Sequence, residues 1–299
     1  MPKIKIKQPK NFSFSQCLFF LDRGFDECLH LIERQSVTKA VRFGDQKVAF
    51  NVSESESDLV VHVPDVENKM LLKQVEAYVE SWFDMKRNIS PFYLLSASDQ
   101  VLSNLIKSFN GLRLMGIEDL FEALCWAIIG QQINLTFAYK LKRRLTEAYG
   151  EVVLTSGTKL YLFPNPSTLA SKIPVDLTSM QFSRQKADYI ITLAQHFVKS
   201  DLSKQDFSGA TMEECIHQLV QLRGIGKWTA QYVAMKCLKY PDAFPIQDVG
   251  LQNALKILKD MDRKPTLEEI NQFASHWNGW KSYATIYLWR SLINDSKNP

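Results

Sequence analysis

The alternation of apolar and polar residues changes character along the chain, and the change falls near residue 96. Before it, the segments 40–43, 47–52 and 59–63 are short and rich in β-branched residues, and their apolar residues tend to alternate, which predicts strands with one buried face. The stretch 1–7 alternates in the way that is typical of an edge strand. A helix predicted at about 66–85 would pack on these strands through its apolar face. We therefore expect a small antiparallel sheet with a helix against it.

After residue 96 the strand signals vanish and apolar residues recur at helical spacing. The predicted helices are 99–109, 120–149, 167–171, 183–199, 212–222, 227–239, 249–259, 267–273 and 281–293. The segment 120–149 must break or bend near Gly130, because glycine lets a helix open locally. The expected fold class is α+β, with an amino-terminal sheet domain followed by a mostly helical body.

The composition is that of a globular protein, since 45% of the 299 residues are apolar and 23% are charged. A chain of this length predicts two or three sub-domains. The longest apolar clusters are too short to span a bilayer or to form the core of a signal peptide, so we expect an intracellular protein with no membrane partner. The formal net charge of +4 fits DNA binding over a limited patch but does not by itself indicate it.

The five cysteines form no Cys-x-x-Cys pair, and three of them fall on apolar helix faces. This pattern favours buried, reduced thiols over a disulfide framework or a zinc site. We therefore predict neither a disulfide nor a structural metal.

The segment 220–232 joins two predicted helices through a Gly-Ile-Gly turn. Paired glycines let the backbone turn tightly and approach a partner. The helix that follows begins with free N–H groups and a positive dipole end, which suit phosphate oxygens. The segment predicts a helix–hairpin–helix that holds a DNA backbone, with an ordinary structural turn as the alternative. The predicted DNA contacts here are Gly224, Ile225, Gly226, Lys227 and Thr229.

A single carboxylate, Asp248, follows the hairpin in the sequence Phe-Pro-Ile-Gln-Asp and precedes an apolar helix. Pro245 favours an extended approach to that helix, so the position fits an N-cap. A carboxylate at a helix N-terminus is also held ionised by the dipole and the free N–H groups. The two roles are compatible, because an ionised group can stabilise a positive charge in a reaction.

Taken together, the hairpin sequence from Leu222 to Ala230 and the Phe-Pro-x-x-Asp motif resemble the helix–hairpin–helix (HhH-GPD) DNA glycosylases. The resemblance is closest to the 3-methyladenine DNA glycosylase II group and extends over 112–293, through the segments 119–132, 183–189 and 280–289. The amino-terminal part is similar to that group in layout only. The resemblance implies a two-lobed helical body, with predicted boundaries at 1–95 for the sheet domain, 96–235 for the domain with the hairpin, and 236–299 for a lobe that packs with 96–111 and completes a cleft.

The resemblance also implies that Asp248 is the catalytic carboxylate. In the family it acts on a nucleotide flipped out of the duplex, and a fixed negative charge stabilises the oxocarbenium character that builds on the sugar. The resemblance places a base-stacking tryptophan at Trp289, and Trp228 and Tyr232 share one helix face nearby. A base alkylated at N3 or N7 is cationic, so aromatic walls attract it. For each aromatic residue the alternative is core packing.

Two positions depart from the patterns of relatives. Trp228 occupies the place of the lysine that forms a Schiff base in bifunctional relatives, so water is the expected nucleophile and no strand cleavage should follow. Gln132 occupies the place of a wedge leucine and would extend the apolar stripe of Leu124 and Ile128, and with Gln131 it could fill the gap left by a flipped base. The alternative is a capped or internally hydrogen-bonded glutamine.

The predicted function is a monofunctional DNA glycosylase that removes alkylated purines, such as 3-methyladenine and 7-methylguanine, from double-stranded DNA and leaves an abasic site. The alternatives are a non-catalytic helix–hairpin–helix module and an oxidised-guanine glycosylase of the same fold. No cofactor is predicted, although hairpin carbonyls could hold a monovalent cation. We expect a monomer, in the cytoplasm with the nucleoid of a bacterium or in a eukaryotic nucleus.

The basic residues Lys140, Lys142, Arg143 and Arg144 are predicted to form a solvated face that attracts DNA diffusely, with Lys186 in a similar role.

Overall fold

The computed structural model describes residues 2–22, 24–64 and 66–293. Its amino-terminal part is a five-stranded antiparallel sheet of order β1-β5-β4-β3-β2. The strands are β1 (Lys3–Lys7), β2 (His30–Glu33), β3 (Ser36–Phe43), β4 (Gln46–Ser55) and β5 (Asp58–His62). The three predicted inner strands and the predicted edge strand are confirmed, whereas β2 lacked a recognisable pattern in the sequence.

Helices α1 (Phe14–Leu21) and α2 (Lys69–Trp82) complete this part. The side chain of Asn68 caps α2 by accepting the N–H groups of Met70 and Leu71, which would otherwise have no partner. The apolar side chains of α2 recur every three or four residues and join the buried side chains of the sheet in one core. Those of the helix are Leu71, Val75, Val79 and Trp82.

The body that follows is mainly helical, and its elements are α3 (Ser90–Ser96), α4 (Gln100–Ser108), α5 (Leu120–Gly130), α6 (Leu135–Tyr149), β6 (Glu151–Thr155), β7 (Thr158–Leu162), α7 (Pro166–Ala170), α8 (Pro174–Thr178), α9 (Arg184–Ser200), α10 (Met212–Leu219), α11 (Lys227–Lys236), α12 (Val249–Leu258), α13 (Leu267–Phe273) and α14 (Lys281–Arg290). The predicted break near Gly130 is confirmed, because α5 ends there and Asn134 caps α6. The predicted α+β class is also confirmed.

The expectation that strands end before residue 96 was wrong, because β6 and β7 form an antiparallel hairpin. Its tight turn at Ser156 and Gly157 has positive φ at both residues, 47° and 80°. Leu160 and Leu162 of β7 pack with Ala40 and Ala49 of the large sheet. Strand β6 carries three adjacent apolar residues, of which Val152 and Leu154 are exposed, so its sequence lacks the regular alternation that marked the strands of the large sheet.

The predicted solvated basic face on α6 was also wrong. Lys142 is buried and lies between two carboxylates, 3.2 Å from Glu27 Oε2 and 3.2 Å from Glu122 Oε1. Arg143 pairs with Asp26, and Arg144 donates to the carbonyl of Met180. Of the four, Lys140 is exposed. Lys142, Arg143 and Arg144 hold elements of the protein together, whereas the diffuse attraction of DNA by the exposed Lys140 stays a prediction.

Helix α14 lies in the core of the body, and its residues from Ser282 to Leu288 are all buried. It packs on α4 and α12. Trp289, at the end of this helix, is half-buried. The five cysteines are free, and the prediction that they are buried is confirmed. Among the described helices none is long and apolar enough to cross a membrane.

Candidate active site

Asp248 is the N-cap of α12. Its N–H donates to the carbonyl of Pro245 at 2.8 Å, closing the turn that the proline begins, and its Oδ1 accepts the N–H of Leu251 at 2.8 Å. The carboxylate thereby satisfies one of the free donors at the start of the helix. The capping role inferred from the sequence is present, and it fixes the position of the carboxylate.

The indole of Trp289 donates from Nε1 to the same oxygen of Asp248, at 2.8 Å. Gly250 makes this contact possible, because a Cβ there would lie 3.0 Å from Asp248 Oδ1 and 3.2 Å from Trp289 Cδ1. A larger residue would press on both partners. The α12 N-terminus and the α14 C-terminus are thus joined through one carboxylate oxygen.

Burial raises the pKa of Asp248 above its ordinary 3.8. The hydrogen bonds from Leu251, Trp289 and Gly250, together with the indole of Trp228, act in the opposite direction but do not outweigh burial. The Trp228 indole lies near enough to influence the carboxylate, yet its buried Nε1 makes no hydrogen bond of ordinary geometry. The helix end therefore favours the anion as expected, but less strongly than burial disfavours it.

Three half-buried aromatic residues stand beside this carboxylate. The rings of Trp228 and Tyr232, one turn apart on α11, have centroids 5.8 Å apart and are tilted by 32°. The ring of Tyr232 in turn lies 6.1 Å from that of Trp289. The structure therefore brings the three predicted base-binding residues and Asp248 together. Partial exposure distinguishes them from Trp277 and Tyr283, which are fully buried in the core.

The hairpin joins α10 to α11, and Gly224 is required there for two reasons. Its φ of +88° lies in the left-handed region, and a Cβ would come within 2.5 Å of the ring of Tyr189. Gly226 and Lys227 are exposed at the start of α11, which has no side-chain cap. The main-chain N–H groups at this end are therefore available to an anion.

The remaining predicted hairpin contacts, Ile225 and Thr229, have buried side chains. The hydroxyl of Thr229 accepts Nε2 of Gln131 at 3.1 Å, and the same nitrogen donates to the carbonyl of Gly224 at 3.0 Å. The side chain of Gln131 thus binds the hairpin from inside. Of the two readings of this glutamine, the internally hydrogen-bonded one agrees with the structure.

Gln132 does not extend the apolar stripe of α5, contrary to the prediction. The helix ends at Gly130, and Gln132 follows in the left-handed region with φ of +56°. It is exposed at the edge of a groove of about 930 Å³ that the hairpin also lines.

Lys186 donates to the carbonyls of Ile129 and Gln131, both at 2.7 Å, so its ammonium caps the end of α5. Lys186 thus has a structural role, and its predicted role in diffuse DNA attraction stays a prediction.

Residues 125–278 match the model for HhH-GPD superfamily base excision DNA repair proteins. The chain belongs to this superfamily. Residues 6–124 match the 8-oxoguanine DNA glycosylase N-terminal domain, a similarity that the layout of the sheet alone did not identify. The chain is 39% identical over 293 residues to a DNA-3-methyladenine glycosylase of Bacillus subtilis strain 168, covering 97% of each protein.

Two further comparisons extend the likeness. DNA-3-methyladenine glycosylase 2 of Escherichia coli K12 is 27% identical over 236 residues, which are 77% of this chain and 80% of that protein. The solved structure of a 3-methyladenine DNA glycosylase from Archaeoglobus fulgidus superposes with a TM-score of 0.84 at 24% identity, over 97% of both chains. This HhH-GPD chain therefore shares its fold with that structure over both the amino-terminal sheet and the helical body.

Sequence reasoning missed Gly250 and Trp126 at this site. Trp126 donates from Nε1 to the hydroxyl of Tyr232 at 2.8 Å. It lies in an almost entirely apolar helix, where no periodicity separates it from core residues. Gly250 follows Asp248 by two residues, and that spacing would have been a signal for a crowded helix start.

Proposed function

We propose that this chain is a DNA glycosylase that removes alkylated purines, including 3-methyladenine and 7-methylguanine, from double-stranded DNA and leaves an abasic site. The observation that carries the proposal is the fixed carboxylate of Asp248 beside three half-buried aromatic rings. The name of the Bacillus subtilis relative, DNA-3-methyladenine glycosylase, supports the same substrate class.

The chemistry follows from the charges. A purine alkylated at N3 or N7 is a cation, so the aromatic rings attract it by about 0.5–2 kcal/mol. It is also a good leaving group, so the glycosidic bond can break without a strong general acid. As the glycosidic bond breaks, positive charge passes to the sugar, and the carboxylate of Asp248 stabilises it in a cleft with little water. Trp289 and Leu251 hold the carboxylate in place throughout, so no reorganisation is needed during the reaction.

We propose further that the reaction is monofunctional, with water as the nucleophile. Trp228 stands where bifunctional relatives carry the lysine, and the exposed Lys227 beside it leaves the helix at a different angle. Lys227 and the N–H groups after Gly226 would contact phosphates. Borohydride trapping on a duplex with an abasic site tests this point: no covalent adduct is expected, and an adduct removed by Lys227→Gln would contradict the assignment.

The main experiment is the release of bases from methylated duplex DNA, separated by chromatography. The parent should release methylated purines, and Asp248→Asn should lower the rate about 10²–10³-fold while DNA binding is retained. Asp242→Asn is the matched control, because Asp242 accepts the N–H of Gly279 and lies outside the aromatic site. Equal rates for Asp248→Asn and the parent would refute the role of Asp248.

A second candidate, excision of oxidised guanine, is favoured by the match of the amino-terminal part to an 8-oxoguanine glycosylase domain. A neutral oxidised base gains little from cation–π attraction to the aromatic rings and is a poorer leaving group, so we expect no release from an 8-oxoguanine duplex.

We also propose that the chain acts as a monomer, in the cytoplasm if its source is bacterial, and needs no cofactor. Sedimentation and base release in the presence of EDTA test these points.

A further inference from the structure

The groove beside the hairpin has the charge of a site for an anion. It has a volume of about 930 Å³ and lies between the hairpin and the start of α9. Among the described residues that line it are the cations Lys186 and Arg223, and none of these residues is acidic. Asp248 and the three aromatic rings beside it do not line the groove. The groove is therefore separate from the candidate active site and opposite to it in charge.

Lys186 carries a positive charge that no carboxylate of the described residues neutralises. Two of the three N–H groups of its ammonium donate to the carbonyls of Ile129 and Gln131, both at 2.7 Å. The third N–H has no partner in the described part of the chain, and the half-buried side chain that carries it lines the groove. Burial lowers the pKa of Lys186 below its ordinary 10.5. An anion in the groove would accept the third N–H and stabilise the charged form of the amine.

Two contacts fix Lys186 relative to the hairpin. Gln131, whose carbonyl accepts Lys186, donates from its side-chain Nε2 to the carbonyl of Gly224 at 3.0 Å. Tyr189 follows Lys186 by three residues on α9 and packs on Gly224, where a Cβ would come within 2.5 Å of its ring. The spacing between the ammonium and the free N–H groups at the start of α11 is therefore constant. A DNA backbone that follows the groove would find both sites already in place.

We propose that Lys186 binds a phosphate of the DNA backbone in this groove, as a second phosphate site beside the N–H groups of the hairpin. A phosphodiester supplies the negative charge and the acceptor oxygen that the third N–H lacks. Both strands of a duplex carry this group, so the chemistry of the site is the same for the strand with the damaged base and for the opposite strand. The inference rests on the proposed function only in that duplex DNA is the ligand.

The test is the salt dependence of duplex binding. The probe is a fluorescein-labelled duplex with one tetrahydrofuran analogue of an abasic site, and anisotropy gives the association constant at a series of KCl concentrations. Lys186→Gln removes the charge but keeps an amide donor for the carbonyls of α5. The slope of log K against log salt should become less steep by about 0.9, the value for one neutralised phosphate. The affinity that the variant loses should thus be about 3- to 4-fold larger at about 50 mM than at about 200 mM KCl.

Two control variants separate a phosphate contact from other effects. Lys186→Arg keeps the charge and should keep the slope. Lys73→Gln changes the net charge by the same amount as Lys186→Gln, but Lys73 is an exposed residue of α2 outside the groove, so the slope should not change. An unchanged slope in Lys186→Gln, whatever its affinity, would leave Lys186 with a structural role alone. That result, or an equal change of slope in Lys73→Gln, would overturn the proposal.

Neutral methylphosphonate linkages, placed singly along each strand, locate the phosphate. At one position the substitution should weaken binding by the parent but not by Lys186→Gln, and the strand that contains this position is the source of the phosphate. No such position in either strand would overturn the proposal.

A covalent probe of the parent decides the question if Lys186→Gln does not fold. Duplexes with one substituted pyrophosphate linkage join that phosphate to a lysine amine in contact with it. Peptide mapping should find the adduct on Lys186 for at least one position, and its absence from Lys186 at every position would overturn the proposal. Failure of the parent to bind the duplex would do the same. Failure of the parent to release methylated bases would instead refute the proposed function and leave the binding results standing.

Discussion

Replacing Lys142 with methionine isolates the energy of the buried ion pairs that Lys142 forms with Glu27 and Glu122. Lys142 is 5% exposed, and its ammonium balances Glu27 and Glu122, which have side chains 15% and 13% exposed. Methionine retains most of the packing of the side chain but leaves the two carboxylates facing each other. Breaking a buried pair by removing one partner costs about 3–5 kcal/mol, so the free energy of unfolding should fall by that amount.

Arg143→Met is the matched control, because it removes the neighbouring cation on the same helix. The guanidinium of Arg143 is 30% exposed and its partner Asp26 is 45% exposed, so water screens the pair. Its loss should cost about 1 kcal/mol or less. Urea unfolding followed by tryptophan fluorescence measures both variants. Equal losses would show that burial does not set the strength of these ion pairs and would refute the reasoning.

The effect of pH on Lys142→Met follows from the state of Glu27. Burial acts to raise the pKa of Glu27, but in the parent Lys142 is the strongest of the charges that outweigh it, and the pKa lies well below the ordinary 4.5. The parent therefore keeps this stabilisation above pH 4.5 and loses it as the pH falls toward the lowered pKa. In the variant the strongest of the charges that lower the pKa of Glu27 is gone, so its pKa should lie higher than in the parent, and its protonation would remove the repulsion from Glu122. The difference between parent and variant should be largest near neutral pH and shrink toward pH 4.5.

Three further outcomes are expected. Gly224→Ala should lower Tm, because a Cβ there meets the ring of Tyr189. Gly226 has open space around it, so Gly226→Ala should keep Tm and weaken only DNA binding. Similar losses of Tm in the two variants would contradict the different roles of the two glycines. Base release should fall as the pH drops through the raised pKa of Asp248, and this fall should occur at a higher pH than for an ordinary aspartate. Trp289→Phe should move the fall to a still higher pH, because it removes a hydrogen-bond donor to the anion. Rate–pH profiles of the parent and the variant measure both effects. Burial raises the pKa of all five cysteines, so a thiol reagent at pH 8 should label the native protein slowly and all five thiols after denaturation.

The spacing of apolar residues predicted the strands and helices that bury one face along most of their length. The sheet was recognised because its strands alternate for five to ten residues, and the break at Gly130 because a glycine interrupts an apolar run. The β6–β7 hairpin and the short α8 gave no regular pattern, whereas α7, equally short, was predicted at 167–171. A local pattern fails where contacts with distant residues, such as Ala40 with Leu160, determine the structure.

The sequence predicted the residues of the candidate site but not the contacts that hold the surrounding elements in place. Motifs identified Asp248, Trp228, Tyr232 and Trp289, because these carry the family resemblance. The basic residues of α6 were predicted to form a solvated face, since a sequence shows a lysine but not the glutamate that lies more than a hundred residues away. The partners of Lys142 and Lys186 come from other elements, and only the folded chain reveals them.

The raised pKa of Asp248 is consistent with a role that requires its anion. In the free protein, burial removes water that would stabilise the charge, and the donors from α12 and α14 replace that water in part. A cationic base or sugar entering the cleft would supply the missing counter-charge and favour ionisation. The same low polarity that penalises the lone carboxylate strengthens its attraction to that cation. In the proposed function, burial would therefore make Asp248 a more selective partner for a positively charged substrate than an exposed carboxylate.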